Sequence, residues 1–285
     1  MRRRATRGFV LAELLVALVI AAIIGAALVE LVVSQSRLVA LQGTIMQARG
    51  GARAALNVMS ADLRMVGDSG LLAATPESVT VRVPYAFGVA CRAISFANLR
   101  AVGLLPADSA SYFSATMSGY AWRTATGGYA FDDGATVVSQ SAPQSRCNAS
   151  GSAPAVTTLT ATGWSARVIY VTPADTMPQG AVMYLYQDLR YAFAPSSQLP
   201  GRIALWRTVL STGQRSELVA PFDSTTGFEF LVGSALTLTA TPPADLGTVR
   251  GLRLNLISQS ETPPEGRSAY TSFDLTTDVL FRNHS

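Results

Sequence analysis

Three kinds of residue in this chain of 285 residues sit where their chemistry would matter. The first is an acid in apolar surroundings: Glu13 is the only charged residue between Phe9 and Val29, a run of 21 residues. An ionised carboxylate inside a membrane-length segment costs about 3 kcal/mol and marks a functional position. The second is the junction Gly8-Phe9, where a polar stretch holding Arg2, Arg3, Arg4 and Arg7 meets the apolar run without a spacer. In a helix that begins at this junction Glu13 lies in the first turn, where the helix dipole favours an anion. The third is the pair Cys91 and Cys147, the only cysteines.

Other candidates read more plainly. Gly67-Asp68-Ser69-Gly70 offers a serine, but a nucleophilic serine needs a histidine base oriented by a carboxylate. The sole histidine, His284, is the penultimate residue, in the wrong chain order. The segment reads instead as a helix C-cap and turn. Phe131-Asp132-Asp133-Gly134 has carboxylates that suit Ca²⁺, yet Asp-Gly is an ordinary hairpin turn and the neighbouring oxygen ligands of a calcium loop are missing. Trp122, Trp164 and Trp206 fit a sheet and its core better than a ligand platform. The expectation is a non-enzymatic protein with no cofactor and no bound metal.

The apolar run from Phe9 spans ~32 Å as a helix, enough to cross a hydrocarbon core of ~30 Å. It also contributes to the mean hydropathy of +0.29. The arginines before it predict a cytoplasmic N-terminus and a translocated remainder. They also account for the pI of 9.3. The chain has 22 Lys+Arg, all arginine, against 18 Asp+Glu, and setting residues 1–8 aside leaves 18 of each. A nucleic-acid partner is therefore not expected. Both cysteines lie on the translocated, oxidising side, which favours a disulfide between them; two separate buried thiols are the alternative.

Beyond Val33 the pattern changes. Leu38, Leu41, Ile45, Ala48, Ala52, Ala55, Met59, Leu63 and Val66 recur at three- and four-residue steps on one helical face. One long helix from about Phe9 to Val66 is predicted. Gly25, Gly43, Gly50 and Gly51 each weaken it by roughly 1 kcal/mol relative to alanine, as bend points or as close-packing sites. After Gly67 the chain reads as strands. Val79, Val81 and Val83 alternate with polar residues, as do Leu252, Leu254 and Leu256. ARVIYV, AVMYLYQ, RIALWRTVL, GFEFLV and SFDLTTDVLF fit the same class. No βαβ rhythm is present, so the fold class is α+β with a mostly antiparallel sheet. Residues 105–165, rich in Ser, Ala, Thr and Gly, are expected to form a loop-rich insertion in a β-rich domain spanning 68–285.

The stretch from Gly8 to Leu18, GFVLAELLVAL, closely resembles the processing site of type IV prepilins and pseudopilins. In that family a membrane peptidase cuts after the glycine and methylates the new amino terminus, and the apolar helix is kept as anchor and assembly element. The resemblance assigns processing to Gly8 and Phe9 and assembly to Glu13. It implies a leader over 1–8, a transmembrane and filament-core helix over 9–33 and an amphipathic helix over 34–67, packed on the β domain in a type IV pilin-like fold. Ala61-Asp62-Leu63-Arg64-Met65-Val66-Gly67 is similar to the helix end of minor pilins of the PilW group. GRIALWR from Gly201, GFEF from Gly227, VRGLRL from Val249 and VLFRN from Val279 follow in similar order. J-type minor pseudopilins of type II secretion share much of this plan. The implied partners are other pilin or pseudopilin subunits, the prepilin peptidase, an inner-membrane assembly platform and, before assembly, membrane lipid. The implied location is a single-pass inner-membrane protein with a periplasmic domain, then a pilus or pseudopilus. An adhesive or DNA-binding tip pilin is the alternative.

Overall fold

A single helix, α1 (Leu11–Leu63), runs for 53 residues, or ~80 Å, and only its second half has a sheet to lie on. The structure is a computed structural model. It describes residues 11–67, 69–94, 98–105, 107–108, 112–113, 115–139, 147, 167–172 and 177–281. Ala48, Ala52, Ala55, Met59 and Leu63, with Val66 just beyond the helix, are all fully buried. The small alanines let the helix approach the sheet closely, and Met59 and Leu63 fill the space nearer its end. The apolar face extends further up than the sheet does. Leu41 and Ile45 are half-buried, whereas Leu38 is left exposed.

The predicted α+β class is what the chain adopts. Fourteen strands follow α1 among the described residues: β1 (Leu71–Thr75), β2 (Ser78–Ile94), β3 (Leu99–Leu104), β4 (Gly119–Arg123), β5 (Tyr129–Asp133), β6 (Thr136–Ser139), β7 (Val168–Thr172), β8 (Val182–Pro195), β9 (Ile203–Val209), β10 (Gln214–Phe222), β11 (Gly227–Val232), β12 (Thr237–Thr239), β13 (Val249–Gln259) and β14 (Ser272–Leu280). They hydrogen-bond in the order β12-β11-β13-β10-β9-β8-β2-β3-β7-β6. β14 lies beside β13, β1 beside β2, and the β4–β5 hairpin beside β8. Every described pairing of β8, β9 and β13 is antiparallel. Residues 105–165, expected to be loop-rich, supply β4, β5 and β6. Their strands are only four or five residues long, so alternation is hard to see in them.

The long strands β2 and β8 carry two cores. Beneath α1, Val79, Val81, Leu189, Tyr191, Leu205, Phe222, Phe228, Phe230, Leu252, Leu254 and Leu256 meet the helix. Further along the same two strands, Ala86, Ala90, Met183 and Leu185 pack with Tyr120, Trp122, Ile169 and Val171, away from α1. The helix closes with tighter bonds, Met65 N–H to Asp62 C=O (3.0 Å) and Val66 N–H to Leu63 C=O (3.2 Å). Gly70 then turns the chain into β1. A Cβ at Gly70 would lie 2.7 Å from Val66 Cγ1 and 2.9 Å from the Gly67 carbonyl oxygen. Of the Gly-Asp-Ser-Gly segment, Ser69 (φ 59°) and Gly70 lead from the helix end into β1, and Asp68 lies outside the described residues.

Candidate functional site

Residues 13–40 of α1 are exposed without exception, a projection of ~42 Å beyond the packed half. Leu18 is 63% and Ile23 65% exposed, and the run from Leu14 to Val33 offers large aliphatic side chains on every side. A helix apolar all round belongs in lipid or among other helices. This is one helix long and apolar enough to cross a membrane, with a window of mean hydropathy 2.8. Glu13 sits in its first turn. It shares one helical strip with Val16, Ala17 and Ile20, so a second helix laid on that strip would meet carboxylate and aliphatic groups together. Gly8 and Phe9 lie outside the described residues, as does His284.

The second half of α1 is fastened by polar contacts as well as by its buried face. The Tyr191 hydroxyl donates to the Asp62 carboxylate, which lies 3.9 Å from Arg207 Nε. Burial, and then the nearby Asp62 charge, push the Tyr191 hydroxyl well above the usual phenol range, so it stays a donor. Higher up, the Thr44 and Thr271 hydroxyls are 3.2 Å apart and Gln47 Oε1 accepts from Glu261 N–H at 3.3 Å. Asp62 belonged to the helix-end motif seen in the sequence. Its partner Tyr191, 129 residues away, carried no local signal.

The remaining candidates are taken up in structure. Cys91 and Cys147, 56 positions apart in sequence, are joined by a disulfide with Cα atoms 5.0 Å apart. The bond is buried among Val89, Ala101 and Val168 and ties the 105–165 region to β2. Asp133 pairs with Arg82 at 2.5 Å and accepts from the Tyr186 hydroxyl, and Asp132 accepts from Tyr120 at 3.1 Å. The Arg82 guanidinium lies between the rings of Phe131 (4.4 Å) and Tyr186 (4.5 Å), with Asp188 3.5 Å from its Nε. Asp133 latches the β4–β5 hairpin to β2 and β8, and Asp132 ties β5 to β4. Burial raises the Asp188 carboxyl above its ordinary range, and Arg82 partly offsets this. Among the described residues no group of three or more His, Cys, Asp or Glu stands close enough to hold a metal ion.

Compared with known proteins, the chain matches no family model, no curated protein and no solved structure.

Proposed function

We propose that this chain is a minor pilin or minor pseudopilin, a structural and non-enzymatic subunit. In this reading it is cut after Gly8, methylated at Phe9, and drawn from the bilayer into a type IV pilus or a type II secretion pseudopilus, near its tip. One observation carries the reading. A 53-residue helix is fixed along its second half to a β domain while its first half, apolar all round, projects free of that domain. Such a half-helix serves in turn as anchor in lipid and as packing element among neighbouring helices. Glu13 adds selectivity: its attraction to the Phe9 ammonium of a neighbouring subunit is strong in a low-dielectric core and weak in water. The single-pass inner-membrane location, the periplasmic domain and the peptidase and platform partners belong to the same proposal.

Glu13→Ala tests it in cells lacking the wild-type copy. Glu13 is far from the β domain, so the variant should insert, fold and begin at N-methyl-Phe9 by mass spectrometry. It should accumulate in the inner membrane and be depleted from the sheared filament fraction. Incorporation at the wild-type level would remove the pairing mechanism. An N-terminus beyond residue 25, or an uncut chain in cells that hold the peptidase, would remove the assignment itself.

A further inference from the structure

We propose that the sheet face turned away from α1 recognises an acidic polysaccharide through Arg190 and Arg215. The register of β8, β9 and β10 sets Arg190 opposite Thr208 and Thr208 opposite Arg215. The two arginines stand in one cross-strand row, two strand spacings or ~9.6 Å apart at the backbone. Both side chains are exposed, and both are held in place. Arg190 Nη2 donates to Ser78 Oγ at 3.3 Å, and the Arg215 guanidinium lies 4.0 Å over the Trp206 ring. A cation already held loses less side-chain freedom when it binds.

The acids beside this row are oriented by other groups, and of the two only Asp188 meets a counter-charge. Asp188, two residues before Arg190, faces Arg82. Glu217, two residues after Arg215, accepts from Ser196 Oγ (2.5 Å), Ser197 N–H (2.8 Å) and Ser197 Oγ (2.6 Å). None of the ion pairs found among the described residues involves Arg190 or Arg215. Tyr191 and Arg207, the chain neighbours of Arg190 and Thr208, point the other way, to Asp62 on α1. In a filament cored by such helices the arginine row faces outward. That placement rests on the proposed assembly, whereas the binding chemistry does not.

The sparse charge selects the ligand. Outside residues 1–8 the chain holds 18 cations and 18 anions. A nucleic acid carries a phosphate at every step and is held by many simultaneous cation contacts, which this face does not offer. A polysaccharide with a carboxylate on alternate sugars spaces its anions by a disaccharide, with hydroxyls between them. The backbone row sets the two arginines on either side of Thr208, with the Arg190 guanidinium at Ser78 on β2 and the Arg215 guanidinium over Trp206 on β9, and each planar guanidinium matches a carboxylate with two parallel hydrogen bonds. A groove of ≈ 640 Å³ beside Trp206 and Arg215 carries Glu217 and Glu261 as well as Ser197 and Gln198, so it suits the uncharged, hydroxyl-bearing part of the chain and not a further carboxylate.

The test uses the full chain in nanodiscs of uncharged phosphatidylcholine, titrated with hyaluronate oligosaccharides and followed calorimetrically. Saturable, salt-weakened binding is expected, with each of Arg190→Gln and Arg215→Gln weakening it roughly tenfold. Arg215→Lys keeps the charge but loses the planar fork and should fall between wild type and Arg215→Gln. Both positions are exposed, so unchanged denaturation midpoints will show that the variants are folded. Neutral dextran should not bind. No binding of hyaluronate overturns the proposal, as does binding that both Gln variants retain in full. Double-stranded DNA that binds more tightly than hyaluronate, and is lost in the same variants, would replace the polysaccharide with a phosphodiester. Glu13→Ala should bind hyaluronate as wild type does, so this result and the filament result fail independently.

Discussion

Ile23 and Met59 are both large, apolar and helical, yet Ile23 is 65% exposed and Met59 is fully buried. The two halves of α1 share a secondary structure and differ in what their sequences leave for other elements to cover. In the first half apolar residues occupy every direction, so no one sheet could cover them and the half projects. In the second half the apolar residues return every three or four positions, and one sheet face suffices. Burial therefore depends on periodicity as well as composition. The first half is suited to a surrounding phase or bundle, and the second is an ordinary domain helix. Under the proposed function that division is the mechanism, because the domain stays folded while the projecting half exchanges lipid for neighbouring helices.

The sharpest way to break the comparison is to truncate side chains on both sides of it. Met59→Ala or Leu63→Ala should each destabilise the domain by about 2–5 kcal/mol, from lost burial and the cavity left behind. Ile23→Ala and Leu18→Ala should change stability by no more than about 0.5 kcal/mol. Urea denaturation in detergent, followed by fluorescence of the domain, measures all four. A loss at Ile23 approaching that at Met59 would mean that the projecting half is held by the domain after all.

A second contrast lies within the sheet. The part beneath α1 is backed by the helix, whereas the part formed by β3 to β7 relies on its own core, the Arg82 latch and the disulfide. Removing the bond in Cys91→Ser/Cys147→Ser should cost about 4 kcal/mol in the chain-entropy model for a loop of this size. Limited proteolysis should then cut first between residues 105 and 165 while the α1–β13 region persists. Cleavage starting at the helix-backed strands instead would show that the two parts unfold as one.

How much of this was legible in the sequence follows the same physical line. The long helix, and strands β2, β7, β8, β9, β11, β13 and β14, come from local sequence pattern. Strands β4 to β6 were read as loop because four or five residues, set in a region rich in Ser, Ala, Thr and Gly, give alternation too little length to register. The pairings that hold the molecule are long-range and left no local mark: Arg82 with Asp133, 51 residues apart, and Tyr191 with Asp62. The cysteine bond could be anticipated because two cysteines leave one possible pairing. The Arg190–Thr208–Arg215 row depends on the register of three strands and is invisible before folding. For the glycines of α1, sequence offered bends or close packing, and here the structure separates neighbours of identical type.

Gly50 and Gly51 give the finest test of where the two environments of α1 divide. Gly50 is exposed, and a Cβ added there meets no other atom within 4 Å. Gly50→Ala should therefore stabilise the domain by up to about 1 kcal/mol through helix propensity alone. Gly51 faces β13, where an added Cβ would lie 2.5 Å from Ser258 Oγ and 3.6 Å from Ser258 Cβ. Propensity favours Gly51→Ala by the same amount, but the Ser258 hydroxyl must first swing away within a site where the residue is only 1% exposed. The expected result is a neutral or destabilised variant. Ser258→Ala removes the clashing oxygen and leaves the Cβ at an ordinary contact distance. In that background Gly51→Ala should recover the gain seen at Gly50, so the double-mutant cycle carries a favourable coupling. If Gly51→Ala alone stabilises as much as Gly50→Ala, the helix does not approach β13 this closely, and residue 51 belongs with the exposed face.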